Sequence, residues 1–361
     1  MNYIIACIAI ISIALSGIAL FRYLGIREHK KRADFYKRKP VVNAQWIRTG
    51  ISILAGFIIL APQYRDHPSF LIYAWAIIVL WTISTIDLYR PIPSRLRLCM
   101  QLFTFTIVVW YGWIAIDSIR LWWDEVLSLP HRFAMIISII WFIICTNAIN
   151  LFDGIEGQSS GVTAIGTGSI WFVINFIILQ EYISLNPSTY EQLSITSYLA
   201  LAVTIASLVY TVVEYKPHGL VRDIGTIIYG FSLAYLSLLW GVKVWTIIVV
   251  LSLVVFDFIW VIFNRLFILK KNPMKWDYTH LHHRLLANGW SRSEVRWFVW
   301  IWSLVMMILM LLQWTNSINK WILFVMMGLL FFGIHIYIFR IKKMPNSYTI
   351  HFSPQDVEKI Q

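Results

Sequence analysis

Long apolar stretches follow one another along the whole chain, with short polar segments between them. A helix that crosses a bilayer needs roughly 17–25 mostly apolar residues. Windows of that length predict eleven membrane-spanning helices, at residues 2–21, 46–62, 68–86, 98–116, 133–150, 161–179, 195–213, 225–241, 244–263, 297–313 and 320–339. The first stretch lacks a basic leading region and a small-residue cleavage site, which favours a retained span over a signal peptide. The pattern predicts an all-α, polytopic integral membrane protein that forms one domain over residues 1–361.

The composition supports this interpretation. Hydrophobic residues make up 59% of the chain and charged residues 13%, and the mean hydropathy is +0.68. Soluble domains are about half apolar and about a quarter charged, so a soluble enzyme and a disordered chain are both excluded. The three cysteines lie in or beside apolar stretches, which indicates buried thiols and no disulfide framework.

The basic residues are distributed unevenly between the polar segments. Of the 30 lysines and arginines, 25 lie in the alternate segments 22–48, 87–97, 214–224, 264–296 and 340–361. Cytoplasmic loops of membrane proteins carry such an excess, so these segments are predicted to face the cytoplasm. The N-terminus is then outside and the C-terminus inside. The net charge of +12 is assigned to this cytoplasmic face, and no nucleic-acid partner is expected.

Acidic residues are scarce, and their positions are informative. Most of those near spans fall at predicted cytoplasmic ends or in cytoplasmic loops, at Asp87, Asp153, Glu156, Asp223 and Asp277. Asp257 falls inside a predicted span, where an ionisable group is costly and is a functional candidate. A structural pair with Arg265, two helical turns further along the same face, is the alternative.

The segment NAINLFDGIEG, residues 147–157, predicts a polar rim at the membrane surface. Asn147, Asn150 and Asp153 are three residues apart and are near neighbours on a helix. Gly154 and Gly157 allow that helix to end, because glycine tolerates the backbone of a helix C-terminus. A hydrogen-bonded helix terminus without a functional role is the alternative.

The segment HLHHRLL, residues 280–286, places His280 and His283 on one helix face, with His282 and Arg284 beside them. Three histidines can ligate zinc, but the cysteines that would complete a closed site lie in distant spans. Histidines with arginine near acidic loops fit a phosphate-handling site better. Surface histidines without a role are the alternative.

Carboxylates on several cytoplasmic loops, with basic residues among them, indicate a divalent metal and a phosphorylated substrate. Mg²⁺ binds one or two carboxylates together with phosphate and water oxygens. Phosphoryl transfer requires mainly positioning and charge neutralisation. A transporter would place its charges near the midplane on broken helices, and Asp257 alone is placed in that way. The pattern favours an enzyme over a transporter.

Five segments in order, from about residue 37 to about residue 289, resemble the polyprenyl-phosphate N-acetylhexosamine-1-phosphate transferases, and the HLHHRLL form is most similar to the WecA/TagO branch. NAINLFDGIEG matches N-A-x-N-L-x-D-G-x-D-G, with Glu156 where aspartate is usual. RDIGT matches G-D-x-G-S. Asp87 and Gln101 match an acidic pair with a following glutamine. His280, His282 and His283 match an H-x-H-H loop, and Arg38 and Lys39 match an R-K pair.

The resemblance implies transfer of a sugar 1-phosphate, with UDP-GlcNAc favoured as the donor, to undecaprenyl phosphate, with release of UMP at the cytoplasmic face of a bacterial membrane. Mg²⁺ is the implied cofactor, with Mn²⁺ as a substitute, and membrane lipid surrounds the protein; a homodimer is left open. The implied metal ligands are Asp223, Asp87 and Asp153. The implied catalytic residues are Asp87, Asp153, His280, His282, His283 and Arg284. The implied substrate-binding residues are Arg38, Lys39, Arg97, Asn147, Asn150 and Glu156.

Four departures from the family pattern leave a catalytically impaired relative open as an alternative. Leu88 replaces the second aspartate of the acidic pair, and Arg222 replaces glycine. Leu220 lies near the position of a family aromatic residue, and Glu156 is one methylene longer than aspartate.

Overall fold

The fold is mostly helical. The computed structural model describes residues 11, 45–90, 92–120, 126–179, 186–215, 222–239, 244–270, 272, 279–312 and 317–341. The helices of the first half are α1 (Gln45–Leu60), α2 (Pro68–Tyr89), α3 (Ser94–Gly112), α4 (His131–Leu151) and α5 (Gln158–Val173), which continues as a π-helical turn, Ile174–Ile178. The helices of the second half are α6 (Pro187–Glu214), α7 (Arg222–Leu238), α8 (Val244–Val250), α9 (Ser252–Phe263) with a π-helical turn Asn264–Ile268, α10 (Leu281–Ala287), α11 (Arg292–Leu312) and α12 (Ser317–Ile341).

Five helices of the described residues are long and apolar enough to cross a membrane, at Pro68–Asp87, His131–Leu151, Gln158–Ile178, Pro187–Val213 and Arg292–Leu312. A sixth span results if the bent pair of α8 and α9 is counted as one. Predicted spans 46–62, 225–241 and 320–339 contain shorter apolar helices, and span 98–116 overlaps α3. Span 2–21 lies outside the described residues except for Ile11. The count of eleven and the orientation of the termini stay predictions.

The apolar pattern predicts one continuous helix over residues 244–263, but the structure has two helices there. Helices α8 and α9 meet at a break of one residue and are bent by 81°. Leu251 at the break has φ −94° and ψ 15°, outside the helical range. The Trp302 indole N–H donates to the Ser252 hydroxyl at 3.0 Å directly after the bend. Neither proline nor glycine marks the break, so the bend depends on packing and not on a local sequence signal.

A short β-hairpin is the second difference from the all-α prediction. Strands β1 (Ser118–Arg120) and β2 (Val126–Ser128) pair antiparallel between α3 and α4, with Ile119 opposite Leu127. Strands of three residues carry no detectable alternation of apolar and polar positions, so the sequence pattern does not reveal them.

Helix α7 is buried from Gly225 to Ser237 and packs closely against α4. A Cβ atom added at Gly230 would lie 2.6 Å from the Cys145 carbonyl oxygen on α4. The rings of Phe105, Phe142 and Phe231 stack between α3, α4 and α7, with centroids 5.2–6.2 Å apart. Within a bilayer, helices associate through such close packing because lipid is as apolar as the side chains. The N-terminus of α7, with Asp223, is thereby held beside the C-terminal half of α4.

Buried polar groups of the bundle pair across helices. The Tyr73 and Ser232 hydroxyl groups lie 2.7 Å apart, and the Tyr235 hydroxyl donates to the Ser69 carbonyl at 2.6 Å. An unpaired polar group at this depth would cost free energy, so these bonds help to fix the register of α2 against α7.

The topology prediction is tested at the C-terminus. A reporter that is active only outside the cytoplasm, fused after Gln361, is expected to stay silent, because the last polar segment carries a basic excess. The same reporter fused within residues 121–125, on the opposite side in this topology, is the positive control. Reporter activity at Gln361 would contradict the eleven-span count.

Candidate active site

The first candidate carboxylate, Asp87, lies near the C-terminus of α2 and is 8% exposed. Its two oxygens accept hydrogen bonds from the Ile92 backbone N–H at 2.6 Å and from the Arg97 guanidinium at 3.1 Å. Arg97 belongs to the first turn of α3, so the short α2–α3 connection brings together two residues that the sequence predicts for the site. Of Leu88, the structure describes only the backbone within α2.

The NAINLFDGIEG segment ends α4 as predicted. The helix ends at Leu151, and Gly157 has φ 71°, which glycine adopts without strain, at the start of α5. Asn147 donates to the Gln101 side chain on α3 at 3.3 Å. Asn150 donates to the Thr226 hydroxyl on α7 at 2.8 Å. The two amides thus connect α4 to different neighbouring helices.

Asp153 and Asp223 belong to the same region. The Ser159 hydroxyl of α5 donates to Asp153 at 2.5 Å, and the Asp153 side chain stays partly exposed. Asp223 is the second residue of α7 and lies one helical turn before Thr226, the partner of Asn150. Its side chain is outside the described residues. The backbone therefore brings Asp223 to the end of α4, where Asp153 follows.

Glu156 is engaged by the N-terminal end of α11. The Arg292 guanidinium donates to both Glu156 carboxylate oxygens, each at 2.9 Å, and Glu156 is 5% exposed. Arg296, one turn later, donates to the Glu156 carbonyl at 3.0 Å and stacks over the Tyr215 ring at 4.1 Å. Through these contacts the two arginines connect the loop of residues 152–157, called the acidic loop below, to the C-terminal end of α6. The prediction of Glu156 as a substrate-binding residue stays a prediction.

Arg292 and Arg296 are residues that the sequence analysis did not assign to the site. Their separation of four residues places them on one face of a helix, and that spacing is the signal that could have found them. Glu156 lies 136 residues from Arg292 and 140 residues from Arg296, so the sequence does not indicate what this face contacts.

The predicted histidine segment forms nearly all of α10. His280 precedes the helix, and its Nδ1 lies 2.9 Å from Asp257 Oδ2. The Leu281 backbone N–H donates to Asp257 Oδ1, also at 2.9 Å. Arg265, the alternative partner of Asp257, donates to the Thr279 hydroxyl at 3.3 Å. Asp257 therefore contacts the histidine segment directly, and Arg265 contacts Thr279, the residue before this segment.

His282 connects the histidine segment to the acidic loop. A Cβ atom added at Gly154 would overlap the His282 imidazole, so only glycine permits this approach. The His282 and His283 ring centroids are 4.0 Å apart. Burial lowers the pKa of His282 well below its usual value, and electrostatic interactions with His283, His280 and Arg292 act in the same direction. His282 is therefore a neutral imidazole, which offers one donor and one acceptor.

Both ring nitrogens of His282 lack a hydrogen-bond partner among the described residues, although the side chain is 1% exposed. The same holds for Nε2 of His280. A buried polar atom without a hydrogen-bond partner destabilises the folded protein by roughly 1–3 kcal/mol. A ligand that forms hydrogen bonds with these nitrogens would remove that penalty, which would strengthen its binding. Arg284, in the same helix, is also buried.

The predicted metal site is not assembled by the described residues alone. No three His, Cys, Asp or Glu side chains within the described ranges lie close enough to hold a metal ion. Asp87 is hydrogen-bonded to Arg97, and Asp153 is hydrogen-bonded to Ser159. The carboxylate of Asp223 has the oxygen chemistry that Mg²⁺ prefers. Arg38, Lys39 and Asp277 lie outside the described residues.

The contact between Gly154 and His282 is tested by Gly154→Ala. We expect a lower melting temperature, because overpacking a filled site typically costs about 1–3 kcal/mol. The matched control is Gly333→Ala on α12, where an added Cβ meets no atom within 4 Å. Melting followed by tryptophan fluorescence in detergent separates the two. Equal melting of both variants would show that His282 does not cover Gly154.

Residues 70–241, just under half of the chain, match the sequence profile of glycosyl transferase family 4. That range contains Asp87, Asp153 and Asp223, and ends before the histidine segment. The sequence resemblance to this group of transferases is thus confirmed.

Named relatives extend the similarity along the chain. A probable undecaprenyl-phosphate N-acetylglucosaminyl 1-phosphate transferase of Bacillus subtilis is 27% identical over 254 residues, which cover 67% of this chain and 64% of the relative. The undecaprenyl-phosphate alpha-N-acetylglucosaminyl 1-phosphate transferase of Escherichia coli K12 is 23% identical over 356 residues, 92% of this chain and 90% of the relative. A phospho-N-acetylmuramoyl-pentapeptide-transferase of Dictyoglomus turgidum is 23% identical, covering 83% of this chain and 97% of the relative. The chain thus spans less than two thirds of the Bacillus relative.

Proposed function

We propose that this chain, whose residues 70–241 match the profile of glycosyl transferase family 4, transfers an N-acetylhexosamine 1-phosphate from a UDP-sugar to undecaprenyl phosphate and releases UMP. N-acetylglucosamine is the favoured sugar, because two of the relatives named above carry it in their names. The reaction would be the first membrane step of a cell-envelope glycan.

The observation that carries the proposal is the contact between the acidic loop and the histidine helix. His282 covers Gly154, directly after Asp153, while Asn150, in the last turn of α4 before this loop, connects that helix to the start of α7. Carboxylates, imidazoles and a buried arginine therefore meet where helices α4, α7 and α10 end or begin. Such a collection suits a substrate that carries several phosphates and its counter-ion.

In the proposed reaction, a phosphate oxygen of undecaprenyl phosphate attacks the β-phosphorus of the UDP-sugar. A new P–O bond forms, and the bond to the bridging oxygen breaks so that UMP leaves with the electron pair. A phosphate monoester has a second pKa near 6, so the nucleophile is mostly ionised at neutral pH and needs no strong base. His280, His283 and Arg284 would stabilise charge that develops on the phosphate oxygens.

The binding residues divide between the two substrates. Arg97, held by Asp87, and Arg38 with Lys39 would attract the phosphates, and Asn147 and Asn150 would position the sugar nucleotide. Asp223, with Asp87 or Asp153, would hold Mg²⁺ or Mn²⁺, which supplies charge neutralisation at the pyrophosphate. The polyprenyl chain would lie between apolar helices, and the site would face the cytoplasm from the bacterial cytoplasmic membrane.

A transporter is the alternative from another functional class, and the bend between α8 and α9 is the feature that favours it. The acidic residue near that bend is Asp257, whose two oxygens contact His280 and the Leu281 backbone. An acid fully occupied in this way is poorly suited to bind and release a transported ion. The contacts therefore favour the enzyme.

Release of labelled UMP tests the proposal. Purified protein, Mg²⁺ and undecaprenyl phosphate are incubated with a panel of UDP-sugars, and we expect release with UDP-GlcNAc that depends on the lipid phosphate. Omitting the lipid is the control for simple hydrolysis. A folded protein that releases no UMP from any donor would refute the transferase and leave the transporter or an impaired relative.

A further inference from the structure

We propose that Asp257 is a positioning residue for the reaction, which fixes the ring of His280 so that its Nε2 is presented to a substrate phosphate. This inference rests on the proposed function. Asp257 is 1% exposed and His280 is 3% exposed, so the pair is shielded from solvent. The Nδ1 atom of His280 lies 2.9 Å from Asp257 Oδ2.

One carboxylate holds both the ring and the helix that follows it. Oδ1 of Asp257 accepts the Leu281 backbone N–H, the first N–H of α10. The first N–H groups of a helix have no partner within the helix, and a negative charge there is favourable. Because the two oxygens bind adjacent residues, the direction of the His280 ring is coupled to the direction of α10.

A second contact from the same segment supports this arrangement. Arg265, two turns after Asp257, donates to the Thr279 hydroxyl at 3.3 Å. The segment Ser252–Ile268 is one continuous helical body after the bend, and Asp257 and Arg265 are both buried within it. Residues 279–281 are therefore held at two points by one rigid element.

The pairing determines which nitrogen of His280 is available. With a carboxylate at Nδ1, this nitrogen carries the hydrogen, and Nε2 is left to accept a hydrogen bond or, in the protonated ring, to donate one. Nε2 is buried and has no hydrogen-bond partner within the described residues. The His280 ring lies parallel to His282, with centroids 5.9 Å apart, and His282 covers the acidic loop. A phosphate oxygen at that loop is the ligand that fits.

A double-mutant cycle tests whether Asp257 acts through His280. Asp257→Asn keeps the shape, and its oxygen can still accept the Leu281 N–H, but its amide nitrogen faces Nδ1 and moves the ring hydrogen to Nε2. We expect kcat for UMP release to fall about 10- to 100-fold, the usual effect of losing an orienting partner of a histidine, while KM for UDP-GlcNAc stays near its wild-type value. In a His280→Ala background, the same substitution should change kcat by less than about twofold.

The control variant is Ser252→Ala, which removes a buried hydroxyl from the same helix without touching the histidine. We expect it to keep the wild-type kcat. If Asp257→Asn does not fold, Asp257→Glu replaces it, since it keeps the charge and displaces the carboxylate by one methylene; the same dependence on His280 is expected. An equal loss of kcat in both backgrounds, or no loss with His280 present, would overturn the inference about Asp257. The proposed function would still stand in that case, provided that the wild type releases UMP. If the wild type releases no UMP, both the proposed function and the inference about Asp257 are refuted.

Discussion

Asp223→Asn is expected to lower UMP release by about 10²–10³-fold at limiting Mg²⁺, the usual effect of removing a group that stabilises charge in the transition state. The substitution keeps the size of the side chain and removes its charge, so the fold should survive. The backbone position supports this expectation, because Asp223 lies one turn from Thr226, which binds Asn150 of the acidic segment. Rates measured over a series of Mg²⁺ concentrations check it.

The matched control is Asp117→Asn. Asp117 is an exposed aspartate in the connection before α4, at the opposite end of that helix from Asp153. It should leave both the rate and the Mg²⁺ dependence unchanged. Near-normal turnover of the Asp223 variant at limiting Mg²⁺ would show that another carboxylate holds the metal.

Arg292→Ala is expected to destabilise the protein by about 3–5 kcal/mol, since it leaves the buried Glu156 carboxylate without its charged partner. The Arg292 side chain is 19% exposed and that of Glu156 is 6% exposed, so solvent screens this pair little. Chemical unfolding followed by tryptophan fluorescence provides the measurement. Arg65→Ala, which breaks an exposed pair with Asp66, is the control and should leave stability unchanged.

A second variant separates the ion pair from the packing of the arginine stem. Replacing both partners by apolar residues of similar length, with Glu156→Met and Arg292→Met, removes the uncompensated charge and is expected to recover most of the lost stability. If the double variant is as unstable as Arg292→Ala, then the packing of the arginine and not the charge is what stabilises the loop.

The apolar stretches of the sequence were sufficient to locate most of the helices. Helices α2, α4, α5, α6 and α11 coincide with five of the eleven predicted spans, because a run of apolar residues long enough for a bilayer is a local property. The end of α4 was also predictable, since Gly154 and Gly157 follow the last apolar turn. The matches in order along the chain indicated a resemblance to this group of transferases, and residues 70–241 match the profile of glycosyl transferase family 4.

The arrangement of the site was predictable only in part. Asp87 and Arg97 are near neighbours in sequence across one short turn, so their pairing follows from local geometry. The predicted alternatives for Asp257 were a functional role or a pair with Arg265, and neither named His280 as its partner. The ion pair between Arg292 and Glu156 was equally unpredictable from the sequence, because several helices separate the two residues along the chain.

The sequence by itself determined where the chain is apolar enough for membrane-spanning helices, where α4 ends and which chemical groups are available in the polar segments between them. These features depend on residues a few positions apart, so the pattern along the chain contains them. Only the tertiary structure decided the 81° bend, the Asp257–His280 pair and the approach of His282 to Gly154. Each of these depends on how distant helices pack, and that packing results from the shapes and hydrogen bonds of many side chains together, which no local pattern records.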